Sequence, residues 1–164
     1  MPRAWRIVKK RHAKDAFDGE GARLYGGRWN SVGIAVVYAS DSRALATLEI
    51  LAGHQSTFPL PDYILIPVDF GESLVVTLEV DGLPEDWRKN PPPASTQRLG
   101  DNWVAREESA VLKVPSALVP QEFNYVLNPR HPSFSEIKVG RPVLEPVRYR
   151  MGSLTLWTYP VFGS

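Results

Sequence analysis

The chain has 164 residues, 43% of them hydrophobic and 23% charged, which suits one folded domain with its own core and excludes a long disordered tract. Lys and Arg number 19 against 18 Asp and Glu, a net charge of +1, so the broad basic face of a dedicated nucleic-acid binder is not expected. There is no cysteine, which rules out a disulfide framework, a thiolate nucleophile and any Cys-containing zinc site.

The three histidines, His12, His54 and His131, show neither HxH nor HxxxH spacing, so no metal centre is expected. The run Lys9-Lys10-Arg11 reads as a solvated loop. The segment Met1-Pro2-Arg3-Ala4-Trp5-Arg6 lacks a signal peptide's apolar stretch, and no run reaches the length of a membrane-spanning helix; the expected location is cytoplasmic, with no membrane contact.

In chain order, residues 4–8 read as a short opening strand. A polar, glycine-punctuated segment follows from Lys9 to Asn30, too polar for the core and expected at the surface around a cleft. The apolar run from Gly33 to Ala39 predicts a central strand with Ile34, Val36 and Tyr38 on one face. A helix should start near Ser40 to Ser42, where Ser or Asp can cap it, and stop at Gly53. Its expected apolar stripe is Ala44, Leu45, Leu48, Leu51 and Ala52.

Two β-rich runs follow, Tyr63 to Phe70 and Leu74 to Val80; Pro67 in the first suggests an edge or a bulge. Pro84 and Pro91 to Pro93 mark an extended connector. Ser95 can cap a helix running to Glu107 and burying Leu99, Trp103 and Val104. Strands are expected at Ala110 to Val114 and Phe123 to Leu127, with a turn over Asn128 to Pro132. The stretch from Val143 to Phe162 carries β-formers interrupted by Pro and Gly. Strands and helices do not alternate regularly, which argues for an α+β fold rather than a doubly wound sheet, and no boundary divides residues 1–164 into two domains.

Several polar residues sit where packing alone explains them poorly. Arg28, in Gly26-Gly27-Arg28-Trp29-Asn30, could grip a phosphate through its guanidinium fork, or be a surface arginine on a turn beside a core tryptophan. Tyr38 could stack on a flat heterocycle with its hydroxyl wet, or simply cap the core. Glu49 falls at the border of its helix's apolar stripe, a place for a half-buried carboxylate or for one in a cleft, although solvated glutamates are commoner. The Glu107-Glu108 pair reads as solvated. Ser116, in Val114-Pro115-Ser116-Ala117, could donate to a ligand oxygen or cap a turn; no Gly-x-Ser-x-Gly elbow surrounds it, so a hydrolase triad is not expected.

Together these segments resemble the RES-domain family. Gly27-Arg28-Trp29-Asn30, Val37-Tyr38-Ala39-Ser40, and then Ala46 and Glu49 resemble the family's first signature. Val114-Pro115-Ser116-Ala117 and the run from Asn124 to Pro132 are similar to its second, and Trp5-Arg6 to its opening strand. The likeness spans residues 4–139, with Gly71 to Trp103 matched only in general character and residues 140–164 outside it.

The resemblance implies a fold related to ADP-ribosyltransferases, with small β-sheets flanked by short helices. It also implies a toxin of a type II toxin–antitoxin system that destroys NAD by breaking the nicotinamide–ribose bond. ADP-ribose would pass to inorganic phosphate (a phosphorylase) or to water (a glycohydrolase), or in some members to a protein. No cofactor is implied, since NAD is the substrate. The implied partner is an antitoxin with an Xre-like helix-turn-helix domain, forming a hetero-oligomer, with no direct nucleic-acid binding by this chain. Carried over by motif, Arg28, Tyr38 and Glu49 are the catalytic group, and Arg6, Ser116 and Asn124 bind substrate. A non-catalytic, antitoxin-binding domain is the plain alternative.

Overall fold

A computed structural model describes residues 1–53 and 62–143. Its strands are β1 (Arg3–Lys9), β2 (Val37–Ser40), β3 (Tyr63–Asp69), β4 (Val75–Thr77), β5 (Val111–Pro115), β6 (Phe123–Leu127) and β7 (Lys138–Val139). Its helices are α1 (Glu20–Tyr25), α2 (Arg43–Gly53) and α3 (Ala94–Ala105), joined by short 3-10 turns. The strands form one seven-stranded sheet in the order β4-β5-β6-β2-β1-β3-β7, rather than several small ones. Only β4 and β5 run parallel; the other neighbours are antiparallel. The α+β class expected from the sequence is the one observed.

Pairing is uneven along this order. β1 and β3 match over seven residue pairs and β2 and β6 over four, but β1 meets β2 at a single pair, Trp5 with Ser40. The sheet is therefore held narrowly between β1 and β2.

Side-chain alternation along the paired strands sorts the residues onto two faces. On one face Ala4, Val37, Ala39, Val68, Val111, Tyr125 and Leu127 form an apolar layer with Phe70, Leu74 and Ile137, and Phe17 and Phe134 pack against it. On the other, Val36, Leu112, Val114 and Val126 join Trp29, Trp87 and Trp103, with Ile34 and Tyr38 beside them. Further along that second face, Ile7 and Leu65 meet Ala46 of α2, with Trp5 and Ile50 at the margin. Burying aromatic and branched side chains of this size contributes about 1.5–3 kcal/mol each.

Several expectations are corrected. The polar segment from Lys9 to Asn30 holds α1 and sends Ala16, Trp29 and Asn30 into the interior. The central strand is four residues long, because the backbone before it is engaged in a turn: the Ile34 N–H donates to the Ser31 carbonyl, and the Ile34 carbonyl accepts from the Asn30 amide. The start of α2 is as expected: Ser42 caps it, accepting from the Leu45 N–H at 3.0 Å. The inward face of α2 is Leu45 and Ala46, whereas Leu48 is 41% exposed and Ala44 and Ala52 are exposed.

Pro93 precedes α3, and the hydroxyl of Ser95 donates instead to Asp86. The helix ends at Ala105, and Glu107 follows in a left-handed conformation, φ 50°. Pro67 lies on β3 beside the two-residue β7, where its carbonyl accepts from Gly140, so its missing N–H falls at a nearly open edge. His54 and the stretch beyond Val143 lie outside the described residues.

Candidate active site

The site is assembled on the face covered by α2 and α3. β2 presents Tyr38 and Ser40, two residues apart and so on the same side, and β6 presents Asn124 opposite Ser40. After Ser40 the chain turns straight into α2. With Leu45 and Ala46 facing the sheet, Glu49 falls four and three residues later on the same helical side. Helical periodicity thus returns a carboxylate over the strand that led into the helix.

Oε1 of Glu49 receives two hydrogen bonds, from Ser116 Oγ at 2.8 Å and from Asn124 Nδ2 at 2.6 Å. Ser116 is fully buried just past β5, and its Oγ also accepts the N–H groups of Leu118 and Val119, each at 3.2 Å. A hydroxyl has one hydrogen, so with backbone donors on its lone pairs that hydrogen is left for Glu49. Among the described residues Oε2 takes no hydrogen bond. One oxygen of the carboxylate is thus pinned from two sides.

Arg28 projects from the turn between α1 and β2, where Gly27 and Asn30 form a bridge. Its Nη1 donates to the carbonyls of Trp87 and Lys89, at 2.7 and 2.8 Å. Nε and Nη2 make no hydrogen bond to the described residues, so part of the fork remains available. Burial lowers the guanidinium's pKa, while the charges of Glu49 and Tyr38 act in the opposite direction.

Of the two readings of Tyr38, the core-capping one describes its hydroxyl. Its hydroxyl is not free in solvent: it accepts from the Trp29 N–H at 3.0 Å and donates to Asn30 Oδ1 at 2.6 Å. Burial raises the phenol's pKa, opposed in part by the Trp29 N–H. The Asn30 amide in turn donates to the carbonyls of Ala22, Ser31 and Ile34. Tyr38 therefore locks the arginine turn to β2, and only the rest of its side chain can meet a ligand.

The turn is closed by two glycines. A Cβ on Gly27 would lie 2.6 Å from the Tyr38 hydroxyl, and one on Gly100 of α3 would overlap the Trp29 carbonyl. Gln97 and Asp101, one helical turn apart on α3, bind the Gly27 carbonyl and the N–H and hydroxyl of Ser31. Sequence reasoning missed these clamps; in the sequence they are an ordinary polar face on an amphipathic helix.

Arg6 is not brought to the carboxylate. Its Nε and Nη1 donate to the carbonyls of Ala16 and Tyr38, at 3.1 and 3.0 Å, where β1 and β2 part. Desolvation lowers its pKa to about 10. Glu107 and Glu108 are exposed, as expected, and among the described residues no group of three or more metal-binding side chains converges.

What the fold and site define is a small α+β domain with a carboxylate fixed by Ser116 and Asn124 and an arginine held through one nitrogen by backbone carbonyls. The RES domain family matches residues 3–150. The Res toxin of Yersinia enterocolitica (serotype O:8 / biotype 1B) is 42% identical over 130 residues, 79% of this chain and 86% of that protein. The Prs ADP-ribosylating toxin of a Sphingobium species (strain YBL2) is 38% identical over 143 residues, 84% and 88% of the two chains. The crystal structure of the M. tuberculosis MbcT–MbcA toxin–antitoxin complex contains a chain of the same fold, with a TM-score of 0.71 and 22% identity over 86% of this chain and 82% of that one. The chain belongs to the RES-domain toxin family.

Proposed function

We propose that this chain is the toxin of a type II toxin–antitoxin system and that it degrades NAD by cleaving the nicotinamide–ribose bond. The observation that carries this reading is the Glu49 carboxylate, pinned through Oε1 by Ser116 and Asn124, with Oε2 taking no hydrogen bond among the described residues. NAD enters as the substrate, and the reaction calls for no resident cofactor or metal.

The bond from ribose C1′ to the nicotinamide nitrogen breaks with its electron pair passing to the ring, which leaves neutral. Positive charge then develops on C1′ and the ring oxygen of the ribose. A preorganised carboxylate stabilises such charge without reorganising, as in glycoside cleavage. Glu49 Oε2 performs this role and can accept from a ribose hydroxyl. The free edge of the Arg28 fork binds the pyrophosphate through charge-assisted hydrogen bonds. Tyr38 holds the Arg28 turn in place and offers its ring to the nicotinamide or ribose. Ser116 and Asn124 act through the carboxylate, and Arg6 braces the β1–β2 junction.

An oxygen of phosphate or water attacks C1′ and loses its proton, giving ADP-ribose phosphate or ADP-ribose. The relative named as an ADP-ribosylating toxin favours a second reading, in which a protein side chain is the acceptor. The proposed partner is an antitoxin bearing an Xre-like helix-turn-helix domain, the location is the cytoplasm, and residues 1–164 act as one domain. Among the described residues no helix is long and apolar enough to cross a membrane.

The test is nicotinamide release from NAD by the purified chain, freed of antitoxin, with and without phosphate. Release that needs phosphate marks a phosphorylase, and release without it a glycohydrolase. Labelled ADP-ribose on a cellular protein marks the transferase. An inert protein that still binds antitoxin overturns the enzymatic reading.

A further inference from the structure

Ser40 has no role in the constellation described above, yet it is only 4% exposed and its hydroxyl faces the site. It does not cap α2, a task performed by Ser42. Its Oγ instead lies 2.7 Å from Oδ1 of Asn124, its cross-strand partner, whose Nδ2 reaches Glu49.

We propose that Ser40 is a positioning residue for Glu49, acting by holding in place the Asn124 amide, whose orientation the carboxylate sets. The argument is one of hydrogen count. An ionised carboxylate only accepts, so the amide must turn its N–H toward Glu49 and its carbonyl toward Ser40. Among the described residues the Ser40 hydroxyl is the donor that carbonyl receives. Removing the hydroxyl leaves Oδ1 without this partner and frees the amide to rotate, and one of the two donors that pin Oε1 loses its aim. The chain from Ser40 through Asn124 to Glu49 links the end of β2 to the middle of α2 across β6. A hydroxyl three steps from the substrate thereby helps set where Oε2 of Glu49 stands.

For its effect on rate this proposal rests on the NAD-cleaving reading, so the test has one arm in turnover and one in amide orientation. Ser40→Ala should lower kcat for nicotinamide release by about ten- to a hundredfold with little change in KM, as displacement of a catalytic group does. In an Asn124→Ala background the same change should cost nothing further, because its target is gone. An equal loss in both backgrounds overturns the proposal.

The second arm uses the wild-type protein and needs no variant to fold. The Asn124 side-chain N–H signals, identified by their loss in Asn124→Ala, should show stronger NOEs to the Glu49 side chain than to Ser40. The opposite ranking overturns the proposal, whatever the protein does to NAD. If the amide is oriented as stated but the wild-type protein releases no nicotinamide, it is the NAD reading that fails.

Discussion

Ser116 Oγ and Glu49 Oε1 stand 2.8 Å apart although 67 positions separate them in the chain. The serine follows β5 and the glutamate belongs to α2, so their contact requires β5, β6 and β2 to be in register with α2 lying over them. The contact also has a direction: the serine's lone pairs are engaged by backbone N–H groups and its hydrogen is aimed at the carboxylate. Ser116→Ala should leave the Leu118 and Val119 N–H groups without this partner and remove a donor from Glu49. Expected losses are about 1–3 kcal/mol of stability and at least tenfold in kcat, roughly what one directed hydrogen bond supplies. Urea denaturation and nicotinamide release measure the two.

Glu49→Gln separates charge from shape. A glutamine can still present an oxygen to Ser116 and Asn124, so the fold and melting temperature should stay close to wild type. The negative charge that stabilises the ribose cation is gone, and turnover should fall by about a hundredfold or more. Wild-type turnover in a folded Glu49→Gln protein would remove Glu49 from the mechanism.

Gly100→Ala probes the clamp behind the arginine. A methyl there overlaps the Trp29 carbonyl, part of the backbone of the Arg28 turn, so either α3 or the turn must move. Such overpacking costs about 1–3 kcal/mol, and more where backbone rather than a flexible side chain must give way. The melting temperature should drop, and KM for NAD should rise as Arg28 is displaced. A stable variant with unchanged KM would show that α3 does not set the arginine's position.

The Tyr38 phenol makes a pH prediction with a definite sign. Burial raises its pKa in the folded chain above the ordinary 10.0 of the unfolded one. The neutral phenol's contribution is full below pH 10 and is lost as pH climbs from there toward the folded value, because the unfolded chain releases its proton first. Tyr38→Phe should be less stable at neutral pH by about 1–3 kcal/mol, having abandoned the Trp29 N–H and Asn30 Oδ1. It should also lose stability less steeply above pH 10. Chemical denaturation of both proteins from pH 8 to 11 tests this, and parallel slopes would contradict it.

The sequence by itself determined the local elements and the cast of polar residues. β6 lies over Phe123–Leu127, as expected, because strand propensity is a local signal. Arg28, Tyr38, Glu49, Ser116 and Asn124 could be singled out before any fold was known, through motif resemblance rather than periodicity. What each of them touches was not legible. Of the stripe read on α2, Leu45 is buried as expected, but Ala44, Leu48 and Ala52 are exposed and Ala46 takes their place, since the face a helix buries depends on the sheet beneath it. The hydroxyl of Tyr38, read as either wet or core-capping, is buried and anchors the Arg28 turn, and Arg6 donates to backbone at the sheet junction. Hydrogen-bond direction was the last thing decided. Whether Ser116 or Asn124 gives its hydrogen to Glu49 depends on partners up to 84 positions away, which no local pattern encodes and only the folded sheet brings within bonding distance.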